Sequence, residues 1–429
     1  MMDYQQTIDY LFNSAPLFQQ IGGAAYKPGL QTTETLDAHF NHPHRCYKTI
    51  HVAGTNGKGT TAHTLAAILQ LAGYRVGLFT SPHLLDFRER IRVNGEMISE
   101  KYVIDFVEQE RSFFEPLHPS FFELTTAMAF KYFSDSKVDV AVIEVGLGGR
   151  LDCTNIIRPE MSIITNISLD HTQFLGDTLA AIASEKAGIM KPGITTVIGE
   201  THAETRPVFE AQAAKVGAQL VFAEDVPQVL DVQVDTDGKK IYGTQDWGTL
   251  VSELRGDCQV KNTNTILCAL KELSKHFSFG AEHVQEAFSR VCELTGLRGR
   301  WEVIQRHPDV VCDTGHNLGG WQYLAQQLSA NAYPKVHVVF GMAADKDIDA
   351  VLQLLPQSAT YYFTRASVKR SLSETEMMEK ASRYQLSGEV YPNVRSAYLA
   401  ARAQASDQDL IYIGGSNFIV ADFLATCMD

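Results

Sequence analysis

Short runs of apolar residues alternate along the chain with stretches of helical periodicity. The runs contain many β-branched residues and little polar alternation, which is typical of strands buried on both faces of a sheet. They are KTIHVA (48–53), RVGLFTS (75–81), VDVAVIEVG (138–146), MSIITNIS (161–168), TTVIG (195–199), DVVCDTG (309–315), VHVVFGM (336–342), TYYFTRA (360–366) and DLIYIGG (409–415). Because strands that alternate with helices pair in parallel, the pattern predicts a doubly wound α/β protein.

Two further segments define the predicted domains. In VLDVQVDTDGKKIYG (229–243), valines alternate with polar residues before an Asp-Gly turn, which predicts an antiparallel hairpin that extends the first sheet. The glycines and arginines of LTGLRGRWEVI (294–304) precede a new strand, so we place a domain boundary there. We therefore predict a P-loop-type N-terminal domain with a mostly parallel sheet (1–297) and a smaller, Rossmann-like α/β C-terminal domain (298–429).

The composition restricts the kinds of partner. The 429 residues are 45% hydrophobic and 20% charged, as in an ordinary globular protein. A formal charge of −13 without any basic block argues against a nucleic-acid or anionic-membrane surface. The start MMDYQQTIDY lacks a signal-peptide pattern and no apolar run is long enough to span a bilayer, so we expect a cytoplasmic protein. Seven cysteines without a CxxC motif predict buried thiols rather than disulfides or a zinc site.

The segment GTNGKGTT (54–61) joins a predicted strand to a predicted helix that starts beyond Thr61. Glycines let backbone N–H groups turn inward, the helix N-terminus adds partial positive charge, and a lysine reaches terminal phosphates. The loop departs from G-x-x-x-x-G-K-[ST], because residue 52 is Val and Gly59 follows the lysine. A plain tight turn is the alternative. The candidate phosphate-binding residues are Gly54, Thr55, Asn56, Gly57, Lys58, Gly59, Thr60 and Thr61.

Three side chains that can bind a metal follow other predicted strands. Ser81, Glu144 and His171 come at or after strand ends, and ligands of open parallel sheets bind outside the carboxyl ends of the strands. Together with the phosphate loop they predict a Mg²⁺ ion shared between protein and nucleotide. Taken singly, such a histidine more often makes only a structural hydrogen bond, and such a glutamate is more often a surface charge or a helix cap.

Two more segments carry candidate chemistry. EVGLGGRLDCTN (144–155) combines three glycines with the carboxylate of Asp152, which indicates either a flexible loop or a close backbone approach to substrate. CDTGHN (312–317) places Asp313 and His316 at a strand end of the second domain. We expect a ligand-binding cleft between the two domains.

The motifs together resemble the folylpolyglutamate synthase/dihydrofolate synthase family of the Mur ligase superfamily. The resemblance covers nearly the full length and includes the single-glycine spacing of the phosphate loop. The matching segments are GLQTTETL, HVAGTNGKGTT, SPHLLDFRERIRVNGEMIS, FFELTTAMAF, EVGLGGRLDCTN, SLDHTQFLGDTLAAIASEKAGIMKPG, GRWEVI, DTGHN and GMAADKD.

The resemblance implies an ATP-dependent ligase that joins the amine of L-glutamate to a carboxylate of folate or dihydropteroate. ATP would convert the carboxylate to an acyl phosphate, which the amine would then attack. Implied with it are two Mg²⁺ ions, a carbamylated Lys186, closure of the two domains, and a monomer that binds neither nucleic acid nor membrane.

The resemblance also assigns residues. Asn262, Arg300 and Asp313 would contact ATP from outside the loop, while Ser81, Glu144 and His171 would bind Mg²⁺. The implied catalytic residues are Lys186, Asp152 and His316. Phe122 and Glu123 suit a flat, hydrogen-bonding pterin, although a core aromatic and a helix cap would explain the same pair. The implied substrate-binding residues are Gly29, Leu30, Gln31, Thr32, Phe122, Glu123, Leu151, Asp152 and Cys153.

Two rival functions remain. A peptidoglycan-precursor Mur ligase would use the same chemistry, but such enzymes carry a separate N-terminal substrate domain, and only about fifty residues precede the phosphate loop here. A nucleotide-gated binding protein would use ATP or GTP without ligation, which leaves the second domain and the SEKAGI lysine unexplained. Glutamate-dependent phosphate release distinguishes the ligases from the binding protein.

Overall fold

The computed structural model describes residues 2–14, 29–330 and 332–428. By its internal contacts the chain divides into two compact units, one formed by Met1–Glu253 with Gln259–Leu297 and the other by Leu254–Cys258 with Arg298–Asp429. Each unit is α/β with a largely parallel sheet, which confirms the predicted fold class. No sequence feature predicted that the short segment 254–258 belongs to the second unit.

The first unit is built on an eight-stranded sheet in the order β4-β3-β2-β5-β1-β6-β7-β8. Only β3 and β4 run antiparallel to their neighbours. The strands are β1 (Lys48–Ala53), β2 (Val76–Phe79), β3 (Ile91–Val93), β4 (Glu96–Met97), β5 (Val140–Glu144), β6 (Met161–Ile164), β7 (Thr195–Ile198) and β8 (Gln219–Phe222). Its helices are α1 (Tyr4–Ser14), α2 (Gln31–His39), α3 (Lys58–Leu71), α4 (Glu100–Phe114), α5 (Phe121–Asp135), α6 (Thr172–Leu175), α7 (Leu179–Ala187), α8 (Arg206–Val216), α9 (Gln259–Leu273) and α10 (Ala281–Thr295).

Both faces of this sheet are covered, since every residue of β2, β5 and β6 is buried. One core cluster joins β2, β3 and β5 to α4 and α5, and another joins β6 and β7 to α7 and α8. The continuous apolar runs of the strands follow from this double coverage.

The predicted hairpin exists, but the sheet to which it was assigned was wrong. The strands β9 (Val229–Val234), β10 (Lys240–Thr244) and β11 (Thr249–Ser252) form a separate antiparallel sheet in the order β11-β10-β9. Residues along β10 and β11 are buried alternately, and β11 packs against α10. Strands with one covered face suit a small sheet on an amphipathic helix, whereas the large parallel sheet needs strands that are apolar on both faces.

The predicted start of the helix after the phosphate loop was also wrong. Helix α3 begins at Lys58, so the lysine and both following threonines lie in its first turn. Gly57 precedes the helix with φ +81°, a conformation in which glycine lets the chain enter the helix without a longer turn.

The second unit contains a six-stranded sheet in the order β12-β13-β17-β14-β15-β16, parallel except for β12. Its strands are β12 (Glu302–Gln305), β13 (Asp309–Asp313), β14 (Val336–Phe340), β15 (Thr360–Phe363), β16 (Gly388–Val390) and β17 (Leu410–Gly414). Its helices are α11 (Leu318–Leu328), α12 (Ile348–Leu352), α13 (Glu374–Ser382), α14 (Val394–Gln404) and α15 (Asn417–Cys427). In the part of the chain described above, no helix has the length and apolar character needed to cross a bilayer.

The strand order places the phosphate loop at a topological switch point. After β1 the chain continues to β2 and β5 on one side and later to β6 on the other side of β1. In open α/β sheets, ligands bind at the carboxyl ends of the strands at such a point. The loop that leaves the carboxyl end of β1 is the predicted phosphate loop.

Candidate active site

The phosphate loop depends on two glycines with positive φ. Gly54 has φ +141°, and a Cβ there would lie 1.8 Å from Thr165 Oγ1. Gly57 has φ +81°, and a Cβ there would lie 2.2 Å from Asn262 Oδ1. Neither position has room for a side chain, so the loop backbone lies directly against its neighbours. The structure thereby brings Asn262, predicted from the resemblance, to the phosphate loop.

We expect Gly54→Ala to destabilise the first unit and to abolish nucleotide binding. The positive φ and the collision with Thr165 together cost about 2–5 kcal/mol. Gly73→Ala is the matched control, because Gly73 has φ +89° with nothing within 4 Å of an added Cβ, so it carries only the backbone cost of about 1–2 kcal/mol. Urea unfolding and ADP titration calorimetry give both quantities. Equal losses of stability in the two variants would contradict the packing argument.

The segment after β6 holds the phosphate loop in shape. Thr55 N donates to Asn166 O at 2.9 Å, and Asn56 N donates to Asn166 Oδ1 at 2.9 Å. Thr165 Oγ1 donates to Asn56 O at 2.5 Å, and Asn56 Nδ2 donates to Ser168 Oγ at 3.2 Å. Sequence reasoning missed Thr165, Asn166 and Ser168, because their importance depends on β6 being the neighbour of β1.

Two lysines converge on one carbonyl of the loop. Lys58 Nζ donates to Gly54 O and to Thr55 O, both at 3.0 Å, and the buried Lys186 Nζ donates to Gly54 O at 2.9 Å. Burial, with the Lys58 ammonium as a second cause, lowers the pKa of Lys186 to about 7. A substantial fraction of Lys186 is therefore a neutral amine near neutral pH, which an ordinary lysine is not.

The shifted pKa of Lys186 makes a testable contribution to stability. Because it is about 7 in the folded chain and near 10.4 in an unfolded one, the unfolded chain binds more protons between these values. The free energy of unfolding therefore rises with pH across this window, with a slope of up to about 1.4 kcal/mol per pH unit from this group.

We expect this rise to be absent from Lys186→Met. Urea unfolding between neutral and alkaline pH, in CO₂-free buffer, measures the difference between wild type and variant. Lys48→Met is the control, since Lys48 is exposed at the start of β1 and should leave the wild-type pH profile unchanged. A Lys186→Met profile parallel to that of the wild type would contradict the burial argument.

The predicted metal-binding residues lie at the carboxyl edge of the sheet. Glu144 ends β5 and is buried, and its Oε2 accepts a hydrogen bond from Ser81 N at 3.2 Å. His171 lies on the segment after β6, directly before α6. Among the described residues, Thr60 Oγ1 and Thr61 Oγ1 are buried hydroxyls with no hydrogen-bond partner in the structure.

The carboxylate of Glu144 and the free hydroxyls of Thr60 and Thr61 suit a divalent cation that is shared with a nucleotide. Over the ranges that the structure describes, no three His, Cys, Asp or Glu side chains form a metal site of their own. A Mg²⁺ ion here would need oxygen ligands from a carboxylate, hydroxyls and phosphate, which is the set that Mg²⁺ prefers.

The predicted substrate-binding segments come together in the first unit. Gly29 and Leu30 directly precede α2, and Gln31 and Thr32 lie in its first turn. Helix α2 packs on α5 and on the 3₁₀ turn that begins at Cys153. The Phe122 ring lies against the next loop, where a Cβ on Gly146 would be 2.4 Å from its Cζ. Leu151 and Cys153 are partly buried on that loop. Burial raises the pKa of the Cys153 thiol, so it is protonated and not nucleophilic.

The two carboxylates of this region hold backbone groups. Glu123 Oε2 accepts from Ser120 N at 2.7 Å, and Ser120 Oγ accepts from Glu123 N at 3.2 Å, which confirms the helix-cap interpretation of Glu123. Asp152 accepts from Leu147 N at 2.8 Å and from Thr154 N at 3.0 Å. Substrate contacts of both carboxylates remain predictions.

Arg300, Asp313 and His316 lie together in the second unit, at the carboxyl end of β13. Asp313 Oδ2 accepts from Trp301 N at 2.7 Å, and burial raises the pKa of Asp313 although the charge of Arg300 opposes the rise. Arg300 donates to Thr314 Oγ1, and His316 Nδ1 lies 3.0 Å from Thr314 O. The three side chains are thus fixed by one short segment.

Two family models match the chain. The Mur ligase middle domain covers residues 52–270, and the Mur ligase glutamate ligase domain covers residues 299–417. The fold and the phosphate loop therefore belong to a Mur-type ligase.

Curated relatives narrow the class. The dihydrofolate synthase/folylpolyglutamate synthase of Bacillus subtilis is 32% identical over 414 residues, which cover 92% of this chain and 94% of the relative. A probable bifunctional folylpolyglutamate synthase/dihydropteroate synthase of Haloferax volcanii is 33% identical over 443 residues, 99% of this chain; this chain spans half of that longer relative. The chain belongs to the folylpolyglutamate synthase/dihydrofolate synthase family of Mur ligases and is an ATP-dependent ligase.

Solved structures show the same architecture. Escherichia coli FolC in complex with DHPP and ADP has a TM-score of 0.84 at 29% identity, over 99% of this chain and 97% of that one. A bifunctional folylpolyglutamate synthase/dihydrofolate synthase with Mn, AMPPNP and L-glutamate bound has a TM-score of 0.81 at 29% identity, over 99% and 98% of the two chains. Both of these relatives have a nucleotide bound, and the second also has Mn.

Proposed function

We propose that this ligase joins the amine of L-glutamate to a carboxylate of dihydropteroate or of a folate, in two steps driven by ATP. The observation that carries the proposal is the convergence of Lys58 and Lys186 on Gly54 O, within a glycine loop at the switch point of the sheet. Anionic phosphate groups are favoured beside the Lys58 ammonium group at the N-terminus of α3, and Lys186, whose pKa is about 7, need not add a second positive charge. The nucleotide, metal and glutamate named for the relatives fit this chemistry.

The carboxylate must first be made reactive, because its charge repels nucleophiles and its oxygen is a poor leaving group. A carboxylate oxygen bonds to the γ-phosphorus of ATP while the bond to the β-phosphate oxygen breaks, which releases ADP. The glutamate nitrogen then bonds to the acyl carbon, loses a proton, and displaces inorganic phosphate. The protein positions these groups and stabilises the charge that moves between the oxygens.

Each predicted residue has a place in this scheme. The loop 54–61 and Asn262 hold the phosphates, with Arg300 and Asp313 of the second unit as further ATP contacts. Ser81, Glu144 and His171 would hold Mg²⁺, which would neutralise phosphate charge. Lys186, Asp152 and His316 are the proposed catalytic residues. The start of α2, Phe122, Glu123, Leu151 and Cys153 form the pterin side of the site.

We also propose that Lys186 is carbamylated and that the resulting anion helps to hold a second Mg²⁺ ion. Carbamylation requires the neutral amine, and the lowered pKa of Lys186, about 7, supplies it. Intact-mass spectrometry in bicarbonate buffer tests this proposal. We expect a mass increase of one CO₂ that disappears in Lys186→Met; an unchanged mass in bicarbonate would contradict it.

We further propose a monomeric, cytoplasmic enzyme. All seven cysteines are thiols, which suits a reducing compartment. Analytical ultracentrifugation at micromolar concentration tests the monomer.

Phosphate release from ATP, measured with and without L-glutamate, tests the function. Dihydropteroate and tetrahydrofolate are offered separately. We expect release only when glutamate and one pterin are both present, and the two pterins distinguish dihydrofolate synthesis from polyglutamate extension. Phosphate release that depends on neither glutamate nor pterin would support the nucleotide-gated binding protein instead.

A further inference from the structure

His51 is a polar residue at the centre of the sheet. It lies in the middle of β1, three positions before Gly54, and its side chain has no exposed surface. Its Nε2 is 2.8 Å from Oγ1 of Thr154, which is also fully buried. Thr154 belongs to the 3₁₀ turn that follows Asp152, so the contact joins the strand of the phosphate loop to the substrate loop.

The direction of this hydrogen bond follows from its neighbours. Both oxygens of Asp152 accept from backbone N–H groups, those of Leu147 and Thr154, and these hydrogen bonds oppose the rise in pKa that burial causes. Thr154 Oγ1 donates its single proton to Asp152 Oδ1. The Thr154 hydroxyl can then only accept from His51, whose Nε2 must carry the hydrogen.

The surroundings of the other ring nitrogen, Nδ1, support a hydrogen on Nε2. His51 Nδ1 is buried and has no hydrogen-bond partner among the described residues, so it need not carry a hydrogen. Burial also lowers the pKa of His51 to about 3, which keeps the ring neutral at physiological pH. The ring is thus a fixed, uncharged donor aimed at one acceptor.

Burying the polar ring of His51 in an apolar strand lowers the stability of the fold. A buried imidazole without partners loses its hydration, which costs on the order of 1–3 kcal/mol. An apolar side chain would fill the same space without that loss, so the bond to Thr154 is the local compensation.

The hydrogen bond between His51 and Thr154 also affects Asp152. Because the Thr154 hydroxyl receives from His51, its proton is directed to Asp152. Asp152 in turn holds Leu147 N at the start of the loop. A chain of hydrogen bonds therefore connects β1, through the 3₁₀ turn, to the backbone of residues 147–152.

We propose that His51 is a positioning residue of the ligation reaction, which holds the Asp152 carboxylate and the 147–152 loop in the orientation needed by the pterin substrate. The inference rests on the proposed function of that loop. A misplacement of about 1 Å in such a loop reduces catalysis by up to roughly 10²-fold.

Four single variants and one double variant separate positioning from simple core packing. His51→Leu and Thr154→Val remove the donor and the hydroxyl at nearly constant volume. His51→Gln keeps an N–H donor near the place of Nε2, and Thr154→Ser keeps the hydroxyl. The double variant His51→Leu/Thr154→Val tests whether the two groups act as one unit. For each, thermal unfolding and the KM values for ATP and for the pterin are measured.

We expect His51→Leu and Thr154→Val each to raise the pterin KM by about 10-fold or more, with the ATP KM changed less than about twofold. The double variant should be no worse than either single variant. His51→Gln and Thr154→Ser should recover most of the wild-type value. Equal changes in both KM values, additive losses, or a His51→Gln enzyme as poor as His51→Leu would overturn the proposal.

The result also separates this inference from the proposed function. If the wild-type chain shows no glutamate-dependent turnover, the function itself fails. If the wild type is active and the variants keep its pterin KM, only the role of His51 fails. Should His51→Leu not fold, Thr154→Val and His51→Gln still decide the matter.

Discussion

Replacing Lys58 with methionine is expected to reduce kcat/KM for ATP by about 10³-fold or more. Lys58 lies in the first turn of α3, and its ammonium group already points into the loop, where it contacts Gly54 O and Thr55 O at 3.0 Å. A bound nucleotide would offer it phosphate oxygens in place of these carbonyls. Methionine fills a similar volume without the charge.

Lys48→Met controls for the loss of a lysine. Lys48 stands at the other end of β1 and is exposed, so this variant should keep wild-type kinetics. Circular dichroism and thermal unfolding verify that both variants fold. A folded Lys58→Met enzyme with kcat/KM within about tenfold of the wild type would show that the loop does not bind phosphate as proposed.

Replacing Glu144 with glutamine is expected to raise the Mg²⁺ concentration for half-maximal activity by about 10–100-fold and to lower kcat by about 10²-fold. The substitution removes a buried negative charge at the end of β5 and keeps an oxygen that can accept from Ser81 N. The fold of the loop should therefore survive, while the attraction for a divalent cation is lost. Titration of activity with Mg²⁺ and Mn²⁺ measures the change.

Glu253→Gln is the matched control for Glu144→Gln. Glu253 is a partly buried carboxylate that accepts a hydrogen bond from Cys292 N at 2.5 Å, and no predicted ligand lies beside it in the chain. Its loss should leave the metal dependence unchanged. Similar metal dependence in the Glu144→Gln and wild-type enzymes would remove Glu144 from the metal site.

Local patterns predicted much of the fold. Each of the nine continuous apolar runs contains a strand, because a strand that is buried on both faces of a sheet needs apolar residues at successive positions. The alternation of apolar and polar residues predicted the hairpin but not the sheet to which it belongs. Such alternation shows that one face of a strand is buried, and it does not show which element buries that face. Strands β3, β4 and β16 span only two or three residues, too few for a periodicity to be visible.

The candidate site was predictable where a residue's role is local. The glycine loop, its lysine, and the carboxylate at the end of β5 follow from their own segments and from the rule for strand ends. The support that Asn166 and Ser168 give to the loop depends on strand order. Strand order is decided by packing between distant segments, so these residues carry no local signal.

Two residues needed the structure for a different reason. The local sequence around Lys186 predicts only an ordinary lysine on a helix. Its lowered pKa arises from burial and from the charge of Lys58, which is more than a hundred residues away in the chain. His51 lies in an apolar run that predicts only a core strand. Its partner Thr154 becomes visible only when the turn after β5 packs on β1.

Transfer of a heavy-oxygen label tests the central claim, that ATP activates the substrate carboxylate, most directly. The pterin carboxylate is labelled on both oxygens, and the phosphate released during glutamate ligation is analysed by mass spectrometry. An acyl phosphate leaves one labelled oxygen in each phosphate, so we expect singly labelled phosphate in proportion to the amide formed. Amide formation with unlabelled phosphate would contradict activation through an acyl phosphate.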